Sequence, residues 1–301
     1  MATINYCIPG STPYANTELK RIYSIAKTSS DENNITCSLG ELNNNCINIT
    51  YGYLGIFCRL YFNKLEEPSA NVANNSYIID HSYTSKDLKG KIYRLSAMNK
   101  DLETQVFNES MVSDKEKDLI YEHLKEKSAE KNIDLLVAKE FAEQIKDDKL
   151  KKQKINILIK KSSLQERIKQ SAQPLINSWK KKNSTNPNSE MICAAFKPWE
   201  MKVDIAGKHR VVNHFGERTN IDIDRIRSVY CPTSMMALDF ILKQCPTHIS
   251  NGHPLYRILG NYIPRLSKKD SIDLAMNCIM KISFSTEKLS ILNSYLKEIF
   301  H

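Results

Sequence analysis

Cys231, Cys245, His248 and His253 offer two thiolates and two imidazoles at the spacing C-x13-C-x2-H-x4-H, a donor set that zinc accepts. Familiar zinc modules pair their cysteines as C-x2-4-C, and no such pair occurs here. Cys231 and Cys245 also flank the apolar run Met235 to Leu242, where thiols serve as ordinary core residues. The core reading outweighs the metal, so zinc stays a candidate and no other cofactor is expected. A second constellation is Asp80-His81 with Arg94, at the ends of two candidate strands. A carboxylate beside an imidazole can do acid–base work, although such a pair at a strand end more commonly makes a turn hydrogen bond. Cys193 with His209 or His214 would suit a thiol nucleophile, but no supporting signature surrounds it. The chain has nine glycines and contains no P-loop, G-x-G-x-x-G or G-x-S-x-G, so phosphate cradles built on backbone amides are not expected.

The charge is local. Between Lys146 and Lys182 twelve cations face three anions, a surplus of nine that equals the formal net charge of all 301 residues. A field of that sign attracts polyanions, because each neutralised phosphate releases condensed counterions. The expected contacts are Lys149, Lys151, Lys152, Lys154, Lys160, Lys161, Arg167, Lys169, Lys180, Lys181 and Lys182, with Trp179 as a stacking face beside the last three. Many lysines and one arginine imply backbone contact without base readout. The ordinary alternative is a solvated lysine-rich face.

The strand Lys208-His209-Arg210-Val211-Val212-Asn213-His214 would place its two histidines on opposite faces. From Gly207 to Val212 it resembles the histidine strand of the rotavirus RNA-binding nonstructural NTPases. The histidines of that family precede the Arg-Val-Val, and the matching positions here are Asp204 and Lys208. The resemblance therefore implies no transfer of the NTPase activity.

These residues need elements to position them. Residues 1–33 read as polar, with a helix from Thr17 to Lys27. From Ile35 to Met98 strand patterns take over, at Asn45–Tyr51, Gly55–Phe62, Ser76–Asp80 and Lys91–Leu95, and predict a small antiparallel sheet. Ser113-Asp114-Lys115-Glu116 fits a capping box. Ile133, Val137, Phe141 and Ile145 then recur every four residues, which predicts helix through 114–145. The basic stretch is expected to continue as a helical connector. After the Asn183–Ser189 linker come strands at Met191–Phe196, Glu200–Ile205 and Lys208–Asn213 and a mixed segment at Asn220–Tyr230. Helices are expected at Ser234–Gln244, Pro254–Tyr262, Lys268–Ile282 and Thr286–Phe300, with Ser267 and Ser285 as caps.

The expectation is an α+β protein in three parts: a strand-rich 1–112, a helical 113–182 with the basic connector, and a mixed 190–301 ending in a helical bundle. No window of eighteen apolar residues and no signal peptide is visible, so a cytoplasmic protein with reduced thiols and no membrane contact is expected. The Asn-Xaa-Ser/Thr sequons, Asn48 among them, are then not glycosylated. Richness in Asn, Lys and Ile hints at an AT-rich viral, phage or bacterial genome. The functional expectation is a nonspecific nucleic-acid-binding protein, RNA ahead of DNA, acting as a viral or phage accessory or assembly protein and compatible with a homo-oligomer. The alternatives are a secreted bacterial effector-type enzyme using Asp80, His81 and Arg94, or a structural capsid-associated subunit.

Overall fold

Residues 3–8, 13–30, 35–52, 74–97, 104–137, 139–146, 154–160, 191–195, 201–205, 208–212, 217–251, 253–264 and 267–300 are described by the structure, a computed structural model. The chain runs β1 (Thr3–Cys7), α1 (Pro13–Ser30), β2 (Thr36–Gly40), β3 (Ile47–Tyr51), β4 (Ser76–His81), β5 (Ile92–Ala97), α2 (Asp114–Ala129), β6 (Asn132–Val137), α3 (Lys139–Lys146) and β7 (Ile155–Lys160). It continues through β8 (Met191–Ala195), β9 (Met201–Ile205), β10 (Lys208–Val212), β11 (Glu217–Asp222), β12 (Ile226–Cys231), α4 (Ala237–Leu242), β13 (Thr247–Ile249), α5 (Tyr256–Leu259), α6 (Lys268–Ile282), β14 (Ser283–Ser285) and α7 (Leu289–Phe300). The fold is α+β. The expected parts 1–112, 113–182 and 190–301 regroup as two compact units. Unit 1 is Met1–Ile120 with Ile279–His301, and unit 2 is Tyr121–Cys278.

Unit 1 holds a six-stranded sheet in the order β14-β5-β4-β3-β1-β2. β2, β1, β3 and β4 run parallel, while β5 and β14 are antiparallel to their neighbours. The expected antiparallel sheet is therefore a mixed one. Along β1 and β3 the side chains alternate in face. Ile4, Tyr6, Ile47 and Ile49 pack under Ala15, Leu19, Ile22 and Ala26 of α1 and Leu289, Leu292 and Leu296 of α7. The spacing of those seven helical residues puts each set on one stripe. Pro13 opens α1, where its missing amide costs nothing.

The opposite face carries Asn5 and Asn48, 3% and 0% exposed. Their amides hold the connection from β2 to β3. Asn5 Nδ2 donates to the Glu41 carbonyl at 2.5 Å. Asn48 accepts from the Asn43 amide at 2.9 Å and donates to the Asn43 and Cys46 carbonyls at 2.8 and 3.3 Å. A parallel connection this short runs close over the sheet, and its backbone groups need partners there. The two asparagines supply them.

In unit 2 a six-stranded sheet has the order β11-β6-β8-β7-β12-β13. β8, β7, β12 and β13 are parallel, and β6 and β11 form an antiparallel edge; β9 and β10 make a separate hairpin. β7 corrects the helical-connector expectation at its centre. Ile155, Ile157, Leu158 and Ile159 are 6% exposed or less between two neighbouring strands, and a near-continuous apolar run is what a strand covered on both faces requires. β6 corrects a second expectation, since Asn132 to Val137 alternates exposed and buried as a strand and the helix resumes only at Lys139.

The capping expectations fare unevenly. Glu116 reaches back to the Ser113 amide at 3.3 Å, and Ser267 and Asp270 cap each other reciprocally at 3.2 Å. Ser285 makes no side-chain cap.

Lys243 closes the carboxyl end of α2. Its side chain is 1% exposed, and Nζ donates to the carbonyls of Lys127 and Glu130 at 2.7 and 3.2 Å and to Glu130 Oε2 at 3.1 Å. A cation there satisfies carbonyls that the helix leaves unpaired. Lys243→Met is expected to lower stability by about 2–3 kcal/mol in urea unfolding, the scale of lost hydrogen bonds to a charged donor. Partial burial raises the Glu130 pKa, but the hydrogen bonds from Lys127 and Lys243 more than offset this and hold it below the ordinary 4.5. That stabilisation is complete above pH 4.5 and fades as pH falls through the folded value. In Lys243→Met the acid-side slope should flatten.

Candidate functional site

Four parallel strands in unit 1 end on one edge, and an aromatic and charged cluster stands there. Tyr51 closes β3 and His81 closes β4. Tyr51 pairs in register with Ile79, so His81, two residues on, lies on the same face and one strand repeat further out. Tyr51 Oη and His81 Nε2 are 2.6 Å apart. The imidazole stacks on the Tyr93 ring, with centroids 5.9 Å apart and planes 19° from parallel. Tyr93 in turn hydrogen-bonds Glu18 and Arg21 of α1, and Arg21 donates to the Gly90 carbonyl. Gly90 sits at φ +79° in the turn before β5, a backbone conformation that favours glycine.

Burial sets the protonation of this cluster. It pushes the His81 imidazole below the ordinary 6.5, more than Asp80 and Glu18 raise it, so the ring is neutral at pH 7. Burial, with the hydrogen bond to Glu18 next in weight, pushes the Tyr93 phenol far up. Asp80 acts on the imidazole through its charge and bonds the backbone beside it. Its Oδ1 accepts the His81 backbone amide at 2.9 Å, the turn hydrogen bond expected, and its Oδ2 accepts from Arg94 at 2.5 Å. Arg94, 1% exposed, also donates from Nε to the His81 carbonyl at 3.1 Å. Asp80 and Arg94 thus fix the backbone beneath His81, and Tyr51 and Tyr93 fix its ring. Sequence reading had His81 but not Tyr51, Tyr93, Glu18 or Arg21. The alternation of Tyr51 with Asn48 and Thr50 was the available signal for a shared face.

In unit 2 the parallel strands end at Lys160, Ala195, Cys231 and Ile249. The loops after β12 and β13 are stapled together. Ser250 Oγ donates to the Pro232 carbonyl at 2.6 Å, and His253 Nε2–H donates to the Ser234 carbonyl at 2.8 Å while Nδ1 accepts the Leu255 amide at 3.0 Å. Between them Thr233 Oγ1 is buried without a hydrogen-bond partner among the described residues.

The candidate zinc set does not assemble. Among the described residues no group of His, Cys, Asp or Glu is placed to hold a metal. Cys231 Sγ donates to the Ser234 carbonyl at 3.1 Å, His248 stacks on Tyr230 at 4.8 Å, and both ring nitrogens of His253 are engaged. Burial pushes the Cys245 thiol up to about 12. Of the basic stretch, Lys154 is exposed beside β7 and Lys160 is the last residue of that strand. Lys149, Lys151, Lys152, Lys161, Arg167, Lys169, Trp179, Lys180, Lys181 and Lys182 lie outside the described residues, as does the candidate strand Gly55–Phe62. Among the described residues no helix is long and apolar enough to cross a membrane.

No family model and no curated protein sequence matches the chain. Among solved structures, KpsC of Thermosulfurimonas dismutans, described as a β-Kdo 2,4-transferase, is similar at a TM-score of 0.44 and 6% identity over 92% of this chain and 89% of that one. KpsC of the same organism, described as a β-Kdo 2,7-transferase, is similar at a TM-score of 0.36 and 10% identity over 99% of this chain and 100% of that one. Both are described as transferases, and the expected nucleic-acid-binding function is corrected accordingly.

Proposed function

We propose that this chain is an enzyme that modifies a carbohydrate, with its substrates held at the carboxyl ends of the parallel strands. The observation that supports it is a reversal of strand order in both sheets. In unit 1, β2 lies on one side of β1 and β3 on the other; in unit 2, β8 lies on one side of β7 and β12 on the other. Where successive connections leave a parallel sheet in opposite directions a crevice opens at the carboxyl edge, and that is where open α/β sheets take their ligands. The edges described above offer hydroxyls, an imidazole, a carboxylate and a guanidinium. Such hydrogen-bonding groups suit a polyhydroxyl substrate better than an apolar one. The Kdo transferases suggest only which substrates to try first, activated sugars.

Thermal unfolding in the presence of a panel of nucleotide-activated sugars tests this reading. A ligand at one hundred times its Kd stabilises the state that binds it by about 2.7 kcal/mol, a shift of several degrees. Thr233→Val, which removes the buried hydroxyl beside the β7/β12 crevice, should shrink the shift. No shift with any sugar, together with no release of free nucleotide, would sink the proposal.

A further inference from the structure

We infer that Tyr51 and His81 form a proton-accepting pair that draws a proton from a substrate hydroxyl at the carboxyl edge of unit 1, held in place by Glu18, Arg21 and Tyr93. The inference rests on the enzyme reading above and names the acceptor in it, a hydroxyl-bearing molecule. Three observations carry it. The 2.6 Å contact between Tyr51 Oη and His81 Nε2 is short enough to pass a proton. His81 is half-buried whereas Tyr51 and Tyr93 are 6% and 0% exposed, so a proton that passes from the phenol to Nε2 leaves to water through the imidazole. The ring plane is fixed from beneath by Tyr93, itself tied to α1 through Glu18 and Arg21.

The step balances. The substrate hydroxyl donates to Tyr51 Oη, and the phenol hydrogen moves to Nε2. As the substrate O–H bond breaks, its oxygen bonds to the sugar carbon of an activated sugar. The bond from that carbon to the leaving phosphate breaks with its electron pair on the phosphate. His81 ends as imidazolium and returns the proton to water. The charged and titratable groups around it are Asp80 on its own strand, Glu18 and Arg21 on α1, Tyr51 on β3, Tyr93 and Arg94 on β5, and Lys89 in the turn between β4 and β5. Burial keeps the imidazole neutral, hence basic, through neutral pH.

The test compares wild type, His81→Gln and Tyr51→Phe, using the nucleotide-activated sugar panel with glycerol as the hydroxyl donor and free nucleotide as the readout. Nitrogen-15 spectra of the histidine side chains are recorded alongside. His81→Gln should slow turnover about 10²-fold or more, the usual worth of a general base, with the KM for the sugar little changed. In wild type the rate should rise with pH through the His81 titration, below 6.5. Tyr51→Phe should move that titration up, because it loses a donor to the neutral ring. An Nε2 that carries its proton at neutral pH would overturn the pair, and so would His81→Gln turning over as fast as wild type. If wild type itself turns over no sugar, the enzyme reading fails instead and takes the pair with it.

Discussion

Phe284→Ala should be among the most damaging single changes in unit 1, costing about 3–5 kcal/mol in urea unfolding, the range found for a buried aromatic truncated in a core. Phe284 is 0% exposed and is the middle residue of β14, only three residues long. It pairs in register with Tyr93, their rings 6.0 Å apart, and belongs to the same core cluster as Ile79, Leu95 and Leu292. The site cannot collapse easily, because its backbone is bonded on both sides. The Ser285 amide donates to the Met111 carbonyl at 2.8 Å, and the strand is paired to β5. The vacated volume should therefore persist as a cavity. Leu119→Ala is the control, since Leu119 is 45% exposed and surface changes of that kind stay within about 0.5 kcal/mol. Equal losses in the two variants would refute the packing assigned to β14.

Asn48→Leu is the second large effect, expected at about 3 kcal/mol or more. It removes no apolar contact and keeps the number and branching of the side-chain heavy atoms, with two bulkier methyls in place of the amide oxygen and nitrogen. What it removes is the partner of the Asn43 amide and of the Asn43 and Cys46 carbonyls, as well as a 3.2 Å contact from Asn5. Each buried polar group left without a partner costs about 1–3 kcal/mol. Asn45→Ala, whose side chain is exposed, should be nearly silent. Hydrogen exchange would locate the damage, with protection lost in residues 43–48 before the rest of the sheet. Unchanged protection there would show that the connection is held by something else. The same bonds keep Asn48 from modification in the folded protein, though it heads a sequon.

How much of this was legible in the sequence depended on whether a signal was local. α6 was expected over Lys268–Ile282 and is found there, because Ser267 and Asp270 mark its start within four residues. β8, β9 and β10 likewise begin and end within about a residue of their apolar runs. β6 went unrecognised because Ile133 and Val137 are four residues apart, which is one helical turn and also two strand repeats. Pairing with β8 and β11, far away in sequence, decides the matter. β1 was hidden by Thr3 and Asn5, whose polarity argues against a core strand until the β2–β3 connection above Asn5 is seen. Parallel or antiparallel pairing is nowhere written locally. The lysines misled for the converse reason: a local charge surplus is conspicuous, while the buried Ile155–Ile159 at its centre decides the fold. At the candidate site, His81 could be suspected from its type. Its true partner, thirty residues away on β3, could not.

The return of Ile279–His301 to unit 1 sets the order in which the protein can mature on the ribosome. Phe284, Leu289, Leu292 and Leu296 complete a core begun by Ile4 and Tyr6. The residues before Tyr121 must therefore wait for those after Cys278, while Tyr121–Cys278 is already complete and free to close. At elongation rates of about 5–20 residues per second, the apolar faces of β1, β3 and α1 stay uncovered for roughly ten seconds or more while those intervening residues are added. That interval is when the nascent chain is open to chaperones and to aggregation, and slowing translation within Tyr121–Cys278 should lengthen it.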